Sequence, residues 1–256
     1  SQVLALDPGH AEAKRLLRGI PLLYTYELSP LGLELSLYPD GSTEVSLSPY
    51  FVYHLKQRWD LKAGYKLALF QDSADHTFSV TAMYRGVPNL YLLGDVSASP
   101  GPSFSPWFST GLGTRYVSEN GFGGGLDLAA DIYGKAPLSS IQEDTLYEIS
   151  PLLIKYFGDI SNVILGYHYH VFASGFSTST VSLSLTLDYA DRNALYLGLS
   201  YGGSVESLDP DRRVFEFSLG VNQRITRTTR LAASYSYVDT QYGKTHRLGI
   251  SPVFTW

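Results

Sequence analysis

The chain has 256 residues, a formal net charge of −5, 44% hydrophobic residues and 17% charged residues. The hydrophobic residues are dispersed, and no window approaches the roughly 20 apolar residues that a transmembrane helix requires, which excludes a helical membrane protein. The acidic balance argues against a nucleic-acid partner, because such a partner requires a basic cluster and the sequence shows none.

Residues 1–18 have the composition of a helix that is interrupted near Asp7 and Pro8. Asp7 can cap the second helical piece, and Pro8 falls in its first turn, where the missing N–H costs nothing. The phrase Ala5-Leu6-Asp7-Pro8, followed by an Ala-rich stretch, resembles the junction between two tetratricopeptide repeats. We therefore predict that residues 1–19 end a tetratricopeptide-like helical segment and that residues 20–256 form a second domain. The alternative is a short amphipathic leader helix.

Downstream of this segment, apolar and polar residues alternate, as in Val181, Leu183 and Leu185 against Ser182 and Ser184. Alternation predicts an all-β fold, because successive side chains of a strand point to opposite faces. The alternating stretches run about nine to thirteen residues, longer than typical soluble strands and matched to a tilted bilayer crossing. The pattern predicts a transmembrane antiparallel up-and-down β-barrel; a soluble β-sandwich or lipocalin-like barrel is the alternative. Aromatic residues near the predicted strand ends, where girdles meet the headgroups, are Tyr53, Trp59, Tyr84, Tyr116, Tyr156, Tyr189, Tyr201 and Trp256.

The lengths of the connections orient the barrel, because short turns belong to the periplasm and long loops to the exterior. The short connections are 56–60, 85–89, 118–121, 157–162, 190–193 and 225–228, and the long ones include 97–106, 134–144 and 202–213. This alternation predicts fourteen strands, the first over residues 31–38, with both termini in the periplasm of a bacterial outer membrane. The absence of Cys fits an extracytoplasmic location.

The strand count depends on residues 22–28, which also alternate but change phase at Ser29 and Pro30. The segment is a bulged extension of the first strand, a periplasmic lead-in, or part of an extra pair that raises the count to sixteen.

The chain ends on Phe254 and Trp256, with apolar side chains at two-residue steps before them. This ending resembles the C-terminal signal by which the outer-membrane barrel assembly machinery recognises its clients. The expected partners are therefore that machinery, together with outer-membrane lipid and lipopolysaccharide. The alternative is that the last strand of an unrelated β protein happens to end in Trp.

Four stretches resemble the YaiO-type outer-membrane barrel domain and, more distantly, the C-terminal barrels of tetratricopeptide-repeat porins that export exopolysaccharides. They are Gly111-Leu112-Gly113-Thr114-Arg115-Tyr116, Lys155-Tyr156-Phe157-Gly158-Asp159, Gly166-Tyr167-His168-Tyr169 and Tyr196-Leu197-Gly198-Leu199-Ser200-Tyr201-Gly202. The resemblance implies a periplasmic repeat arm attached to the barrel, with polysaccharide export, and periplasmic proteins of an export complex, as the expected context.

If the apolar face meets lipid, the opposite face lines the lumen. The charged and imidazole side chains predicted there are Glu34, Glu44, Lys62, Lys66, Arg85, Asp95, Arg115, Asp127, Asp131, His168, His170, Asp188, Glu216, Arg224, Arg230 and Arg247. The two signs balance, which suits water, neutral sugars or a self-paired network that partly closes the channel. Tyr side chains expected to face inward, as a surface for sugar rings or as filler, are Tyr38, Tyr50, Tyr91, Tyr133 and Tyr196.

Few residues suggest catalysis or metal binding. His168 and His170 share one strand face, a spacing that can serve a metal or acid–base chemistry, but their sequence neighbours offer no third ligand. No His belongs to a convincing Ser/His/acid set. We therefore predict no enzyme activity, no metal and no cofactor.

Two functions from different classes follow. The first is an outer-membrane channel that conducts a polysaccharide or another hydrophilic polymer and is coupled to a periplasmic repeat arm. The second is a non-conducting barrel that anchors a periplasmic complex in the outer membrane.

Overall fold

A computed structural model describes residues 26–55, 58–134, 143–157, 161–189, 193–203, 213–240 and 243–256. The predicted helical segment 1–19 lies outside these ranges. The described strands are β1 (Tyr26–Ser29), β2 (Leu33–Leu37), β3 (Thr43–Leu47), β4 (Tyr50–Leu55), β5 (Trp59–Phe70), β6 (Ser73–Val87), β7 (Leu90–Ala98), β8 (Phe108–Val117), β9 (Phe122–Ile132), β10 (Thr145–Tyr156), β11 (Asn162–Phe172), β12 (Ser177–Tyr189), β13 (Asn193–Gly203), β14 (Arg213–Arg224), β15 (Thr229–Thr240) and β16 (Gly243–Thr255).

These strands form one closed antiparallel barrel. β1 and β2 both pair with β16, and β3 and β4 both pair with β5, so each couple is one barrel strand that is interrupted near its middle. The barrel therefore has fourteen strands, as the connection lengths predicted. Closure leaves none of the described strands at an unpaired sheet edge, which is the condition for a β-structure to stand in hydrocarbon.

A one-residue bulge separates β1 from β2. Glu27 pairs with Thr255, whereas Leu37 pairs with His246, so the register between this barrel strand and β16 slips by one position across residues 30–32. The change of phase at Ser29 and Pro30 is thus the bulged extension of the first strand, and the alternative of sixteen barrel strands is wrong. The part of segment 22–28 that precedes Tyr26 lies outside the described ranges.

The two faces of the sheet differ sharply in polarity. Large apolar side chains stand exposed on the outer face, among them Leu112, Val181, Leu183 and Tyr201. A water-soluble protein rarely exposes a contiguous apolar surface of this kind, whereas a lipid-facing wall requires it. Among the described residues, no helix is long and apolar enough to cross a bilayer.

The two ends of the barrel also differ. Connections such as 88–89, 118–121 and 225–228 lie at one end, here called the turn end. Connections such as 71–72 and 99–107 lie at the other, the loop end. Aromatic rings cluster at the turn end. The centroid of the Tyr26 ring lies 5.3 Å from that of Tyr53 and 6.0 Å from that of Trp256. Trp59 and Tyr84 lie 4.7 Å apart on the same rim.

Candidate functional site

The described residues enclose two cavities inside the barrel. The loop-side cavity has a volume of about 830 Å³ and is lined from opposite walls, by Phe70 of β5 and by His168 of β11 among others. The turn-side cavity has a volume of about 660 Å³ and lies between Lys62 of β5 and Tyr196 of β13. Because each cavity touches opposite walls, both occupy the lumen.

The polar residues predicted for the inner face distribute between the two cavities and the wall. His168, His170, Glu216 and Arg247 line the loop-side cavity, and Glu34, Lys62 and Lys66 line the turn-side cavity. Two of the predicted residues instead lie near turns at the turn end. Arg224 donates to the carbonyls of Thr226 and Arg227, and the backbone N–H of Asp188 donates to the Ser161 hydroxyl.

Ion pairs tie several of the other predicted residues to the inner wall near the turn end. Nη2 of Arg230 donates a hydrogen bond of 2.6 Å to Oε2 of Glu27. The other carboxylate oxygen of Glu27 accepts a hydrogen bond of 3.1 Å from the Tyr50 hydroxyl. Arg85 pairs with Asp60, whose second oxygen lies 2.7 Å from Nδ1 of His54. Glu27, His54 and Asp60 were absent from the predicted set.

Acidic side chains concentrate on the wall of β7 to β10. Both terminal guanidinium nitrogens of Arg115 donate hydrogen bonds to the carboxylate of Asp127. Asp95 lies over Gly111 of the neighbouring strand, where an added Cβ would stand 2.5 Å from its Oδ1. A side chain at position 111 would collide with the Asp95 carboxylate, so glycine allows the carboxylate to lie against the neighbouring strand.

Near the loop end, Glu44 accepts a hydrogen bond of 2.8 Å from the Tyr38 hydroxyl, and Asp131 pairs across the ladder with Leu146. Asp40 lies at the rim of the loop-side cavity. The Ser42 hydroxyl and the Ser42 backbone N–H both donate hydrogen bonds to the Asp40 carboxylate. These bonds, the one from the hydroxyl most strongly, hold the pKa of Asp40 below its usual range. Asp40 is therefore ionised at neutral pH.

The two histidines predicted as a pair lie beside an acid that the sequence did not reveal. Glu148 of β10 lies 3.0 Å from Nδ1 of His168 and 3.6 Å from Nε2 of His170. On the other side of the His168 ring, Nε2 lies 2.8 Å from the hydroxyl of Ser182. Glu148 was absent from the predicted set, so the contact of His168 with both an acid and a serine was not anticipated.

The same histidines were also candidate metal ligands. Among the described residues, no group of three or more His, Cys, Asp or Glu side chains has a geometry that holds a metal ion. The His168 and His170 rings stack with their centroids 6.5 Å apart.

The connection 99–107 lies inside the rim at the loop end. Asp75, which is 1% exposed, accepts hydrogen bonds from three consecutive backbone N–H groups of this loop, at 2.6 Å from Ser103, 3.0 Å from Phe104 and 2.7 Å from Ser105. Phe104 packs edge-on against Phe70, which lines the loop-side cavity. The loop therefore narrows the mouth of the lumen.

Comparison with known proteins gives a fold and no family. The sequence matches no protein-family profile and no curated protein. The structure is similar to a bacterial polysaccharide outer membrane secretin, with a TM-score of 0.64, 12% identity, and coverage of 92% of this chain and 100% of that chain.

Two further solved structures are similar. The CymD monoaromatic hydrocarbon channel has a TM-score of 0.62 and 13% identity and covers 100% of this chain and 92% of its own. An anion-selective porin from Comamonas acidovorans has a TM-score of 0.50 and 8% identity, with 90% and 98% covered. At such low identities the likeness establishes the fold alone: this chain has the β-barrel fold of outer-membrane proteins.

Proposed function

We propose that this chain is an outer-membrane channel for hydrophilic solutes, with a polysaccharide as the cargo class, and that its turn end and both termini face the periplasm. The observation that carries the proposal is the pair of cavities that span the lumen between opposite polar walls. An eight-stranded barrel is filled by its own side chains, whereas the larger circumference of this one leaves room between its walls.

The lining favours a sugar over a hydrocarbon. The fold is similar both to a polysaccharide secretin and to a monoaromatic hydrocarbon channel. The choice between these two cargo classes therefore rests on the side chains that line the lumen. Ser, Thr, Glu, His and Arg side chains line the loop-side cavity, and such groups lose hydration to a hydrocarbon without gaining hydrogen bonds. Sugar hydroxyls replace those hydrogen bonds, and the inward rings of Tyr38, Tyr50 and Tyr196 offer apolar surface to sugar faces.

Conductance across a planar bilayer tests the channel. The purified barrel is expected to give steady openings that become smaller in Ser200→Trp, because Ser200 lines the loop-side cavity. Leu199→Trp is the matched control, since Leu199 is adjacent in sequence but exposed on the outer face, and it is expected to leave the conductance unchanged. A barrel that stays silent, even after deletion of residues 97–106 and 134–144, would instead be the non-conducting docking barrel.

The cargo class has a separate test. Neutral oligosaccharides of increasing length, added to one side of the bilayer, are expected to block the current transiently, with dwell times that shorten in Tyr196→Ala. Openings that no oligosaccharide interrupts would leave a channel for small solutes and refute the polysaccharide assignment. The YaiO-type resemblance and the tetratricopeptide-like arm belong to the same proposal, and detection of a repeat array upstream of the barrel in the full-length protein would support both.

The terminal aromatic residues are proposed to recruit the barrel assembly machinery. Trp256→Ala is expected to lower the amount of folded barrel in the outer-membrane fraction of cells, while the purified variant still folds into lipid vesicles without the machinery. Both amounts are measured by the faster gel migration of unheated barrels. An equal loss in cells and in vesicles would show that Trp256, which contacts the Tyr26 ring, acts only through stability.

A further inference from the structure

Three side chains on neighbouring strands of the inner wall form a continuous line of polar contacts. Glu148 on β10 lies 3.0 Å from Nδ1 of His168 on β11, and Nε2 of the same ring lies 2.8 Å from the Ser182 hydroxyl on β12. This is the order acid, imidazole and hydroxyl that activates a serine for attack on a carbonyl carbon, an arrangement that recurs on unrelated folds and is recognised by geometry.

The surroundings fix the direction of the proton transfer. An ionised carboxylate only accepts hydrogen bonds, so Glu148 selects the tautomer in which Nδ1 of His168 carries the proton. Nε2 is then the acceptor for the Ser182 hydroxyl. The Ser150 hydroxyl donates to Glu148 and lies 2.8 Å from Nδ1 of His168, so it helps to hold the carboxylate and the ring in place.

The structure leaves space for a substrate beside Ser182. The serine and the histidine both line the loop-side cavity of about 830 Å³. Gly166 lies directly across the ladder from Ser182, and an added Cβ there would stand 2.6 Å from the Ser182 hydroxyl and 2.8 Å from Nε2 of His168. The absence of a side chain at this position keeps the reacting pair open.

Two more features of the wall point to a ligand. His170 is 8% exposed and lines the same cavity, yet its Nδ1 is buried without a hydrogen-bond partner. Such an orphaned atom is rare in a folded protein, and catalytic sites are among the places where it occurs. Ser200 pairs with Ser182 across the next strand and lines the same cavity, so its hydroxyl is available there as a hydrogen-bond donor.

We propose that Ser182, His168 and Glu148 form an esterase site in the lumen, whose substrates are carboxylic esters of hydrophilic alcohols such as acetylated sugars. Ser182 attacks the carbonyl carbon and passes its proton to Nε2 of His168, which then protonates the departing alkoxide. Water, deprotonated by the same nitrogen, attacks the acyl-serine; the bond from the carbonyl carbon to the Ser182 oxygen breaks, that oxygen takes the proton back from Nε2, and the carboxylic acid is released. Ser182 and His168 are the catalytic residues, and Glu148 is a positioning residue. The site acts whether or not the lumen conducts.

A fluorophosphonate probe and p-nitrophenyl acetate test the site on the purified barrel in detergent. The probe is expected to modify Ser182, identified by mass spectrometry of the labelled peptide, and acetate release is expected to fall in Ser182→Ala to the rate of the detergent blank. His168→Gln is expected to slow labelling by about 10²-fold or more, the usual contribution of a general base. Ser184→Ala, on the same strand and face, is the control and keeps the parental rate.

A positioning role for the acid and a catalytic role for the ring have their own readouts. Imidazole in solution is expected to restore labelling of Ser182 in His168→Gly, which a purely structural histidine would not allow. Glu148→Gln is expected to slow labelling while Glu148→Asp recovers part of the rate. If the probe leaves Ser182 unmodified in the folded parent barrel, or if Ser182→Ala releases acetate at the parental rate, the three side chains are only a hydrogen-bond network of the wall.

Discussion

Replacing Leu183 by Arg is expected to destabilise the barrel by about 2–4 kcal/mol in a lipid bilayer, the cost of a cationic side chain on the lipid face near the midplane. Leu183 is the central residue of β12 and stands exposed on the outer face. A loss of this size changes the folding equilibrium by roughly 30- to 1,000-fold. Urea titration of the barrel in lipid vesicles, followed by Trp fluorescence, measures it.

Ser184→Arg is the matched control for this substitution. Ser184 is the next residue of β12 and lies on the inner face, where it pairs with Ile164 and Gly198 of the adjacent strands. The same charge there meets a polar lumen, so we expect a loss well below that of Leu183→Arg. Equal losses at both positions, or a parent chain that stays folded and monomeric in buffer without detergent, would refute the assignment of the outer face to lipid.

The barrel and its strand count were predictable because one face of nearly every strand is apolar. In β12, Val181, Leu183 and Leu185 alternate with Ser182 and Ser184, and since the side-chain period is two, this pattern fixes which residues face outward. The interrupted first strand was ambiguous in the sequence, because a one-residue bulge reverses the phase on its two sides. Only the pairing of both halves with β16 resolves it.

The contacts between inner residues were not predictable to the same degree. The inward position of Glu148 was not predicted, because β10 carries apolar residues on both faces. Leu152 and Ile154 point inward and Leu153 points outward, so the strand shows no clear alternation. The contacts that join Ser182, His168 and Glu148 depend on how three neighbouring strands are aligned with one another. The alternation pattern of a single strand does not predict how far that strand is displaced along the next. His168 and His170 were found because they share a single strand.

The anchoring of the loop by Asp75 was also invisible in the sequence, because the aspartate and its partners are about thirty residues apart and carry no motif. Three N–H donors converge on this carboxylate in a setting that water hardly reaches. Hydrogen bonds to a charged acceptor contribute about 1.5–3 kcal/mol each. The Asp75 side chain therefore anchors the middle of the loop, residues 103–105, inside the mouth.

Asp75→Ala is accordingly expected to weaken the attachment of the loop by at least about 3 kcal/mol, roughly a hundredfold in the equilibrium between held and released loop. The barrel itself stays folded, because its ladder hydrogen bonds are untouched and only a local unit opens. Chymotrypsin is expected to cut the variant after Phe104 while the parent resists, and the conductance of the variant is expected to rise as the mouth widens.

Asp72→Ala provides the control for this substitution, since Asp72 is exposed in the neighbouring turn and its loss removes a nearby negative charge without touching the loop. We expect it to leave both cleavage and conductance at the parental level. If Asp75→Ala resists chymotrypsin as the parent does, the packing of Phe104 against Phe70 would be sufficient to hold the loop, and the carboxylate would be dispensable.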